Sequence, residues 1–315
     1  LHLMNQLMPD LISPNIRLGI YSIGNQELEG LIYLHQAADL ASDHPTIVQS
    51  LYLAYLDLEQ PESAEYWQKI GVDYASQRLA KMPWQWTQLE LDSPWTYIPF
   101  DVGSGEIEQE ISLAVVASLQ SPTTRCLLAE GDWFERELEF WRQYIQPGMN
   151  VIDIGAGIGI YTFSAAQRVG ENGIIYAIEP FSKAVDCLNE TCRVNQIENV
   201  KVFRNAIGDR DDLSRLILQS SSEFNCLAAI DEQLEPGTKT EEVICMTLDT
   251  FIHQAEIERL ELIKISTEGN ELAILTGCDR VLSEFAPTII YNSYTSKGID
   301  LAAAQYLLDR DYELF

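Results

Sequence analysis

The chain has 315 residues and a formal net charge of −28, from 48 acidic against 20 basic side chains. A field of that sign repels phosphate backbones, which excludes nucleic acid as an expected partner. Hydrophobic residues make up 46% of the sequence, enough for a sizeable core, and the length favours two domains. No apolar run reaches the ~18 residues that a membrane span needs, so no membrane partner is expected.

The two ends of the sequence indicate a fragment, and the cysteines indicate the cell compartment. The chain begins at Leu1 without an initiator methionine or a signal-peptide pattern, and it ends in a strand-like segment, DRDYELF. We therefore expect a piece of a longer chain, trimmed at the C-terminus as well. The six cysteines form no C-x-x-C pair, and no nearby histidine completes a zinc pattern. This favours reduced thiols in a cytoplasmic protein that holds no metal.

Residues 1–82 are predicted to form a helical region, because apolar side chains recur at helical spacing from residue 26 onward. The segments 31–41 (LIYLHQAADLA) and 65–75 (EYWQKIGVDYA) match at an offset of 34 residues, the period of tetratricopeptide repeats. A plain helical bundle explains the pattern equally well. In either case the region carries no catalytic constellation, and we expect it to serve packing, self-association or contact with a protein partner.

Residues 83–131 are predicted to be a connector with irregular strands, because their first part is rich in proline and tryptophan. Within it, residues 111–119 (ISLAVVASL) fit a strand or a helix. A further helix is predicted to begin at Asp132, which occupies the N-cap position, with Glu135 in the capping-box position.

Beyond this helix, short apolar segments alternate with amphipathic helices up to the end of the chain. The predicted strands are VIDI, GIIYAIE, VKVFRNAI, RLILQS, VICMTL, LELIKIS and PTIIYN. The alternation predicts an α/β, Rossmann-like domain over residues 132–315, with a mostly parallel, doubly wound sheet covered on both faces. Ligands of such sheets bind at the carboxyl ends of the strands, near the switch in strand order.

The first of these strands continues into a glycine-rich turn, VIDIGAGIGIY. Gly155, Gly157 and Gly159 occupy alternate positions, and Asp153 lies inside the strand. Glycines let the backbone turn tightly and approach a ligand closely. The next strand ends in Glu179, 20 residues after Gly159, which is the interval for an acid that binds two ribose hydroxyls.

Two ligand classes fit this pattern, and a turn that binds no ligand is a third interpretation. Dinucleotide enzymes use G-x-G-x-x-G and hold a pyrophosphate at the helix N-terminus. Here the spacing is G-x-G-x-G, and Asp153 precedes the first glycine by two residues. A carboxylate there repels a pyrophosphate but attracts the ammonium and sulfonium of S-adenosylmethionine. The sequence therefore favours this methyl donor over NAD.

A set of motifs in the same region resembles the FkbM family of S-adenosylmethionine-dependent methyltransferases. The motifs are DIGAGIGIYT, AIEP, NAIGD, TLD and LIKISTEGNEL, and the resemblance covers about residues 125–315. It implies a class I methyltransferase fold and methyl transfer to an oxygen of a small molecule or sugar. It also implies the donor-binding residues: Asp153, Gly155, Gly157 and Gly159 along the methionine part, with Tyr161 in the same motif, Glu179 at the ribose, Asn205 and Ala206 at the adenine, and a closing helix with Trp133 and Glu135.

Two positions depart from the family pattern. Ser266 stands where the motif K-I-D-x-E-G has its Asp, and Asn292 stands where the family often has an acid. In this fold class the residue at the first of these positions points at the transferring methyl. Ser266 can hydrogen-bond there but cannot act as a base near neutral pH, and it disfavours a magnesium-dependent reaction. The departures motivate a second interpretation, a catalytically decayed binding or scaffolding module.

Three residues are candidates for the chemistry itself. Glu268 is a candidate base if burial raises its pKa, or else a partner of a helix N-terminus. His253 is the only histidine of the C-terminal half and is a candidate base or a surface helix residue. Lys264 alternates with apolar neighbours and either pairs with an acid or reaches the site.

Overall fold

The computed structural model describes residues 11–78, 81–103, 109–133, 135–219, 225–267, 269–292, 294–295, 298–299 and 301–314. The chain divides into two compact units between Arg136 and Glu137. The limits 1–82, 83–131 and 132–315 stay predictions.

The described part of the N-terminal unit starts with four helices, of which the last three lie where the apolar spacing predicts helices. They are α1 (Ile12–Gly24), α2 (Gly30–Leu40), α3 (Pro45–Asp57) and α4 (Pro61–Ser76), and a 3₁₀ helix follows at Met82–Gln88. Glycines let α1 and α2 cross closely: a Cβ on Gly30 would lie 2.6 Å from the carbonyl oxygen of Gly19. The helical region is confirmed, whereas its assignment to tetratricopeptide repeats stays a prediction.

The connector contains an antiparallel hairpin of β1 (Trp95–Asp101) and β2 (Glu110–Val116), followed by α5 (Pro122–Glu130). Residues 111–116, which fitted either element type, are therefore in a strand.

The helix predicted to start at Asp132 corresponds to α6 (Arg136–Tyr144), which starts four residues later. The N-cap and capping-box assignments were therefore wrong. Gly131 ends α5 in the left-handed conformation (φ +82°). The Asp132 carboxylate then accepts a hydrogen bond from the N–H of Trp133 at 2.8 Å, four residues ahead of the helix. Glu135 directly precedes α6 and is exposed.

The C-terminal unit alternates strands and helices. Its elements are β3 (Asn150–Ile154), α7 (Ile160–Val169), a 3₁₀ turn (Gly170–Asn172), β4 (Ile174–Ile178), α8 (Ser182–Asn195), β5 (Val200–Phe203), β6 (Ala206–Gly208), β7 (Asp212–Ile217), β8 (Cys226–Ala229), β9 (Thr240–Thr247), α9 (Leu248–Gln254), β10 (Leu262–Ile265), α10 (Glu271–Thr276), α11 (Asp279–Glu284), β11 (Thr288–Tyr291), β12 (Tyr294–Thr295), β13 (Gly298–Ile299) and α12 (Ala302–Leu308).

Five strands form a parallel sheet in the order β11-β10-β3-β4-β5. After β3 the chain adds β4 and β5 towards one edge of the sheet. It then crosses to the other side of β3 and adds β10 and β11, so the strand order switches between β3 and β10. Buried Ile, Val and Leu side chains occupy these central strands on both faces, as expected where helices cover a parallel sheet. The Rossmann-like α/β fold is thus confirmed, and its switch point lies beside the glycine-rich turn.

A second, mixed sheet in the order β6-β9-β7-β8 corrects one predicted strand. VKVFRNAI divides into β5 and β6, because β6 pairs with β9 rather than with β4. Asn205 therefore lies between two strands and Ala206 begins β6, instead of both ending one strand.

The segment NELAILTGCDRVLSEF, whose pattern in the sequence predicts one helix, is also divided, into α10 and α11. The break falls at Gly277, where a Cβ would lie 2.3 Å from the carbonyl oxygen of Gly208. Among the described residues, no helix has the length and apolar character to cross a membrane.

Candidate functional site at the carboxyl ends of the sheet

The turn between β3 and α7 needs its three glycines for different reasons. All three have positive φ: +75° at Gly155, +55° at Gly157 and +100° at Gly159. A Cβ on Gly155 would lie 2.0 Å from the carbonyl oxygen of Ser266, and one on Gly159 would lie 2.4 Å from the Phe163 ring. A Cβ on Gly157 would meet nothing within 4 Å. The outer glycines thus permit close packing, whereas the middle one borders open space.

Glu179 follows β4 and joins the turn through hydrogen bonds. Its Oε2 accepts from the N–H of Gly157 at 2.8 Å, and its Oε1 accepts from the N–H of Phe181 at 2.9 Å. The side chain is only 8% exposed. Burial raises the pKa of Glu179 to about 7, although these two backbone hydrogen bonds lower it. A carboxylate with a perturbed pKa therefore lies directly beside the open space at Gly157.

Asp153 is fully buried inside β3 and opposite Lys264 of β10 in the sheet register. Its Oδ2 accepts a hydrogen bond from the Thr162 hydroxyl at 2.7 Å, and its Oδ1 lies 3.9 Å from the Lys264 ammonium. Burial raises the pKa of the carboxyl, and the charge of Lys264 opposes that shift. The cationic group beside Asp153 in this structure is therefore a residue of the chain itself.

Lys264 has a second contact besides the acid. Its Nζ lies 4.0 Å from the centre of the Tyr161 ring, a cation–π distance. The backbone carbonyl of Tyr161 in turn accepts a hydrogen bond from the Trp141 indole at 3.0 Å. The buried Lys264 thus ties β10 to both β3 and the first turn of α7.

Ser266 follows β10 at the switch point and is exposed. Its N–H donates to the carbonyl of Ile154 at 3.0 Å, which holds it alongside the turn. Asn205 is half-buried and its amide lies 3.4 Å from the carbonyl of Ile244, while Ala206 is buried.

The remaining candidates are Glu268, His253, Trp133, Glu135 and Asn292. Glu268 lies outside the described residues. His253 is exposed in the last turn of α9, which leads to the amino end of β10 rather than to its carboxyl end. Trp133 and Glu135 belong to the N-terminal unit. Asn292 is exposed just after β11.

Sequence reasoning missed Thr162 and assigned no bonds to Glu271. Thr162 is fully buried and bonds Asp153, as described above. Glu271 is 6% exposed, and its Oε1 lies 3.3 Å from the N–H groups of Thr267 and Gly269. The signal for Glu271 was available, because an acid in a first helical turn commonly accepts from the preceding loop. No group of His, Cys, Asp or Glu in the described part of the chain has the arrangement of a metal site.

A glycine turn after a central parallel strand, with an acid at the end of the neighbouring strand, defines a nucleotide-binding class of Rossmann-like proteins. Residues 153–314, about half of the chain, match the family described as the methyltransferase FkbM domain. The chain belongs to the FkbM methyltransferase family, which confirms the family resemblance of its motifs.

Similar proteins include "Methyltransferase 1" of Beauveria bassiana, which is 22% identical over 176 residues, or 50% of this chain and 70% of that protein. Among solved structures, a SAM-dependent methyltransferase from Aquifex aeolicus is 28% identical over 24% of this chain and 40% of its own, with a TM-score of 0.22. The precorrin-6y C5,15-methyltransferase of Geobacter metallireducens is 17% identical over 57% of this chain and 74% of its own, with a TM-score of 0.36. The chain thus spans less than half of the Aquifex protein.

Proposed function

We propose that the C-terminal unit binds S-adenosylmethionine at the glycine turn and transfers its methyl group to an oxygen of a small molecule or sugar. The observation that carries the proposal is the pairing of Gly157 with Glu179. The N–H of Gly157 holds the carboxylate, while the space where a side chain would project is open. A turn built in this way leaves room for a ligand directly beside an acid.

The residues present fit the donor. Each oxygen of Glu179 uses one backbone hydrogen bond, so each retains a lone pair that can accept a ribose hydroxyl. Asn205 and Ala206 would border the adenine, and the glycine turn the methionine part. A diphosphate fits less well, because the turn from Gly155 to Gly159 contains no basic residue and the Glu179 carboxylate lies next to it.

The donor, when bound, supplies a methyl carbon already activated by its sulfonium. The contribution of the chain is alignment, which can supply much of the acceleration in an in-line displacement. Ser266, exposed beside Gly155, would hydrogen-bond the donor or the acceptor. Lys264, held by Asp153 and Tyr161, acts as a positioning residue of the turn rather than as a base.

The test combines binding with turnover. Calorimetry with S-adenosylhomocysteine should give saturable binding that Glu179→Ala abolishes and that Glu171→Ala, at an exposed acid outside the turn, leaves intact. Incubation with methyl-labelled donor and a panel of hydroxylated acceptors should transfer label to at least one of them. Saturable binding without transfer to any acceptor would favour the second candidate, a decayed binding module, for which Ser266 in place of a carboxylate is the specific observation. Absence of binding would refute the methyltransferase proposal.

A further inference from the structure

A large groove lies within the N-terminal unit and has no part in methyl transfer as proposed above. It has a volume of about 810 Å³ and is lined by α2, α3 and α4 together with Ser42. Volumes of this size are typical of ligand-binding clefts.

The groove is elongated because α2 and α4 run side by side in the same direction. The ring of His35 lies 5.7 Å from that of Trp67, and further along both helices the Tyr74 hydroxyl donates to Ser42 at 3.1 Å. The lining positions of α4 extend from Glu62 to Tyr74. At the rise of an α-helix this corresponds to about 18 Å of groove.

Aromatic rings form much of the lining. His35 contacts both Tyr55 and Trp67, and its Nε2 is 2.8 Å from the Tyr55 hydroxyl. Tyr66 packs edge-on against Trp67 at 5.5 Å and is 59% exposed, so part of its ring is available to a ligand. Such rings attract cations placed over their faces.

The charged groups of the lining are carboxylates. Asp39, Glu62 and Asp73 line the groove, and no Lys or Arg does among the residues that the structure describes. The nearby bases are already engaged: Lys69 pairs with Glu65, and Arg78 pairs with Asp43, on side chains outside the lining. Aromatic faces together with carboxylates are complementary to an organic cation.

We propose that this groove, defined by Asp39, Glu62, Tyr66, Trp67 and Asp73, binds an extended peptide segment that carries Lys or Arg side chains. Its acids lie towards both ends of α4, Glu62 in the first turn and Asp73 in the last. A length of about 18 Å matches five or six residues of extended chain. A small cation such as tetramethylammonium would occupy one end and leave the opposite acid unpaired.

The experiment uses the full chain at 150 mM salt. The probe is a fluorescein-labelled, amidated heptapeptide with arginine at its second and sixth positions and glycine or alanine elsewhere, followed by anisotropy. We expect saturable binding that weakens roughly fivefold or more in Asp39→Asn/Asp73→Asn, which removes two groove charges. Glu171→Gln/Glu198→Gln removes two exposed charges from the other unit and should change affinity less than twofold. Tyr66→Leu should weaken binding about threefold, since it removes a partly exposed ring.

Three outcomes would overturn the proposal. One is the absence of saturable binding. Another is equal weakening by the two charge-removing double variants, which would indicate attraction to the overall negative charge. The last is complete displacement of the peptide by tetramethylammonium with a dissociation constant equal to that of the peptide, which would indicate a site for small cations. A peptide with citrulline in place of both arginines controls for the label and should bind at least fivefold more weakly.

Discussion

Replacing Gly157 by alanine should separate the two roles of the glycine turn, stability and binding. The residue has a φ of +55°, and an added Cβ would meet nothing within 4 Å. The cost to the fold is then the left-handed conformation alone, about 1–2 kcal/mol. That is a small part of a typical unfolding free energy of ~5–15 kcal/mol, so the variant should stay folded.

The cost to binding should be larger, because the methyl group enters the space beside Glu179. A ligand atom touching this turn would sit about 3.5–4.0 Å from the Cα, in the volume that the methyl group takes. We expect the dissociation constant of S-adenosylhomocysteine to rise at least tenfold, or about 1.4 kcal/mol.

The matched control is Gly148→Ala. Gly148 also has a positive φ, +85°, and an added Cβ there would likewise meet nothing within 4 Å, but it lies just before the amino end of β3. Urea unfolding should give both variants the same loss of stability, while calorimetry should show weakened binding for Gly157→Ala alone. If the two variants bind within twofold of each other, the open space at Gly157 is not the donor site.

Three further predictions concern the groups around the turn. Folding raises the pKa of Glu179 from 4.5 to about 7, so the stability that it contributes to the unliganded protein is complete below pH 4.5 and is lost as the pH rises through 7. The loss should reach about 3 kcal/mol in urea unfolding and should be absent in Glu179→Gln. Gly155→Ala places a Cβ 2.0 Å from the backbone oxygen of Ser266 and should lower the unfolding free energy by about 3 kcal/mol or more, seen as a fall in the melting temperature. Lys264→Met leaves the buried Asp153 without its cation and should cost about 3–5 kcal/mol, of which the double variant with Asp153→Asn recovers a substantial part in the same assay.

The alternation of strands and helices sufficed to predict the parallel sheet, because hydrophobic period and turn residues are local properties. It did not suffice where pairing is decided at long range. Residues 200–208 form one continuous β-type pattern, yet the chain changes sheet within them because β9 offers the partner strand for β6. The break at Gly277 likewise depends on the approach of Gly208, which is remote in sequence.

The candidate site was predictable in its acids and glycines but not in its internal pairing. The spacing of Glu179 from Gly159 singled out this acid, whereas its hydrogen bond to the N–H of Gly157 was not predicted. The charge argument for Asp153 did not anticipate that Lys264, on a strand more than a hundred residues later, would supply the neighbouring cation. Asp153 could have faced either a cationic ligand or a cationic side chain. Strand order decides between them, because it brings β10 beside β3, and no local sequence pattern predicts strand order.

The central claim is that the turn and Glu179 bind a cationic nucleoside rather than a dinucleotide. The most direct measurement is parallel calorimetric titration of the purified chain with S-adenosylmethionine and NADH. We expect one saturable site for S-adenosylmethionine and no detectable heat of binding for NADH. Tighter binding of NADH than of S-adenosylmethionine, or no binding of either, would contradict it.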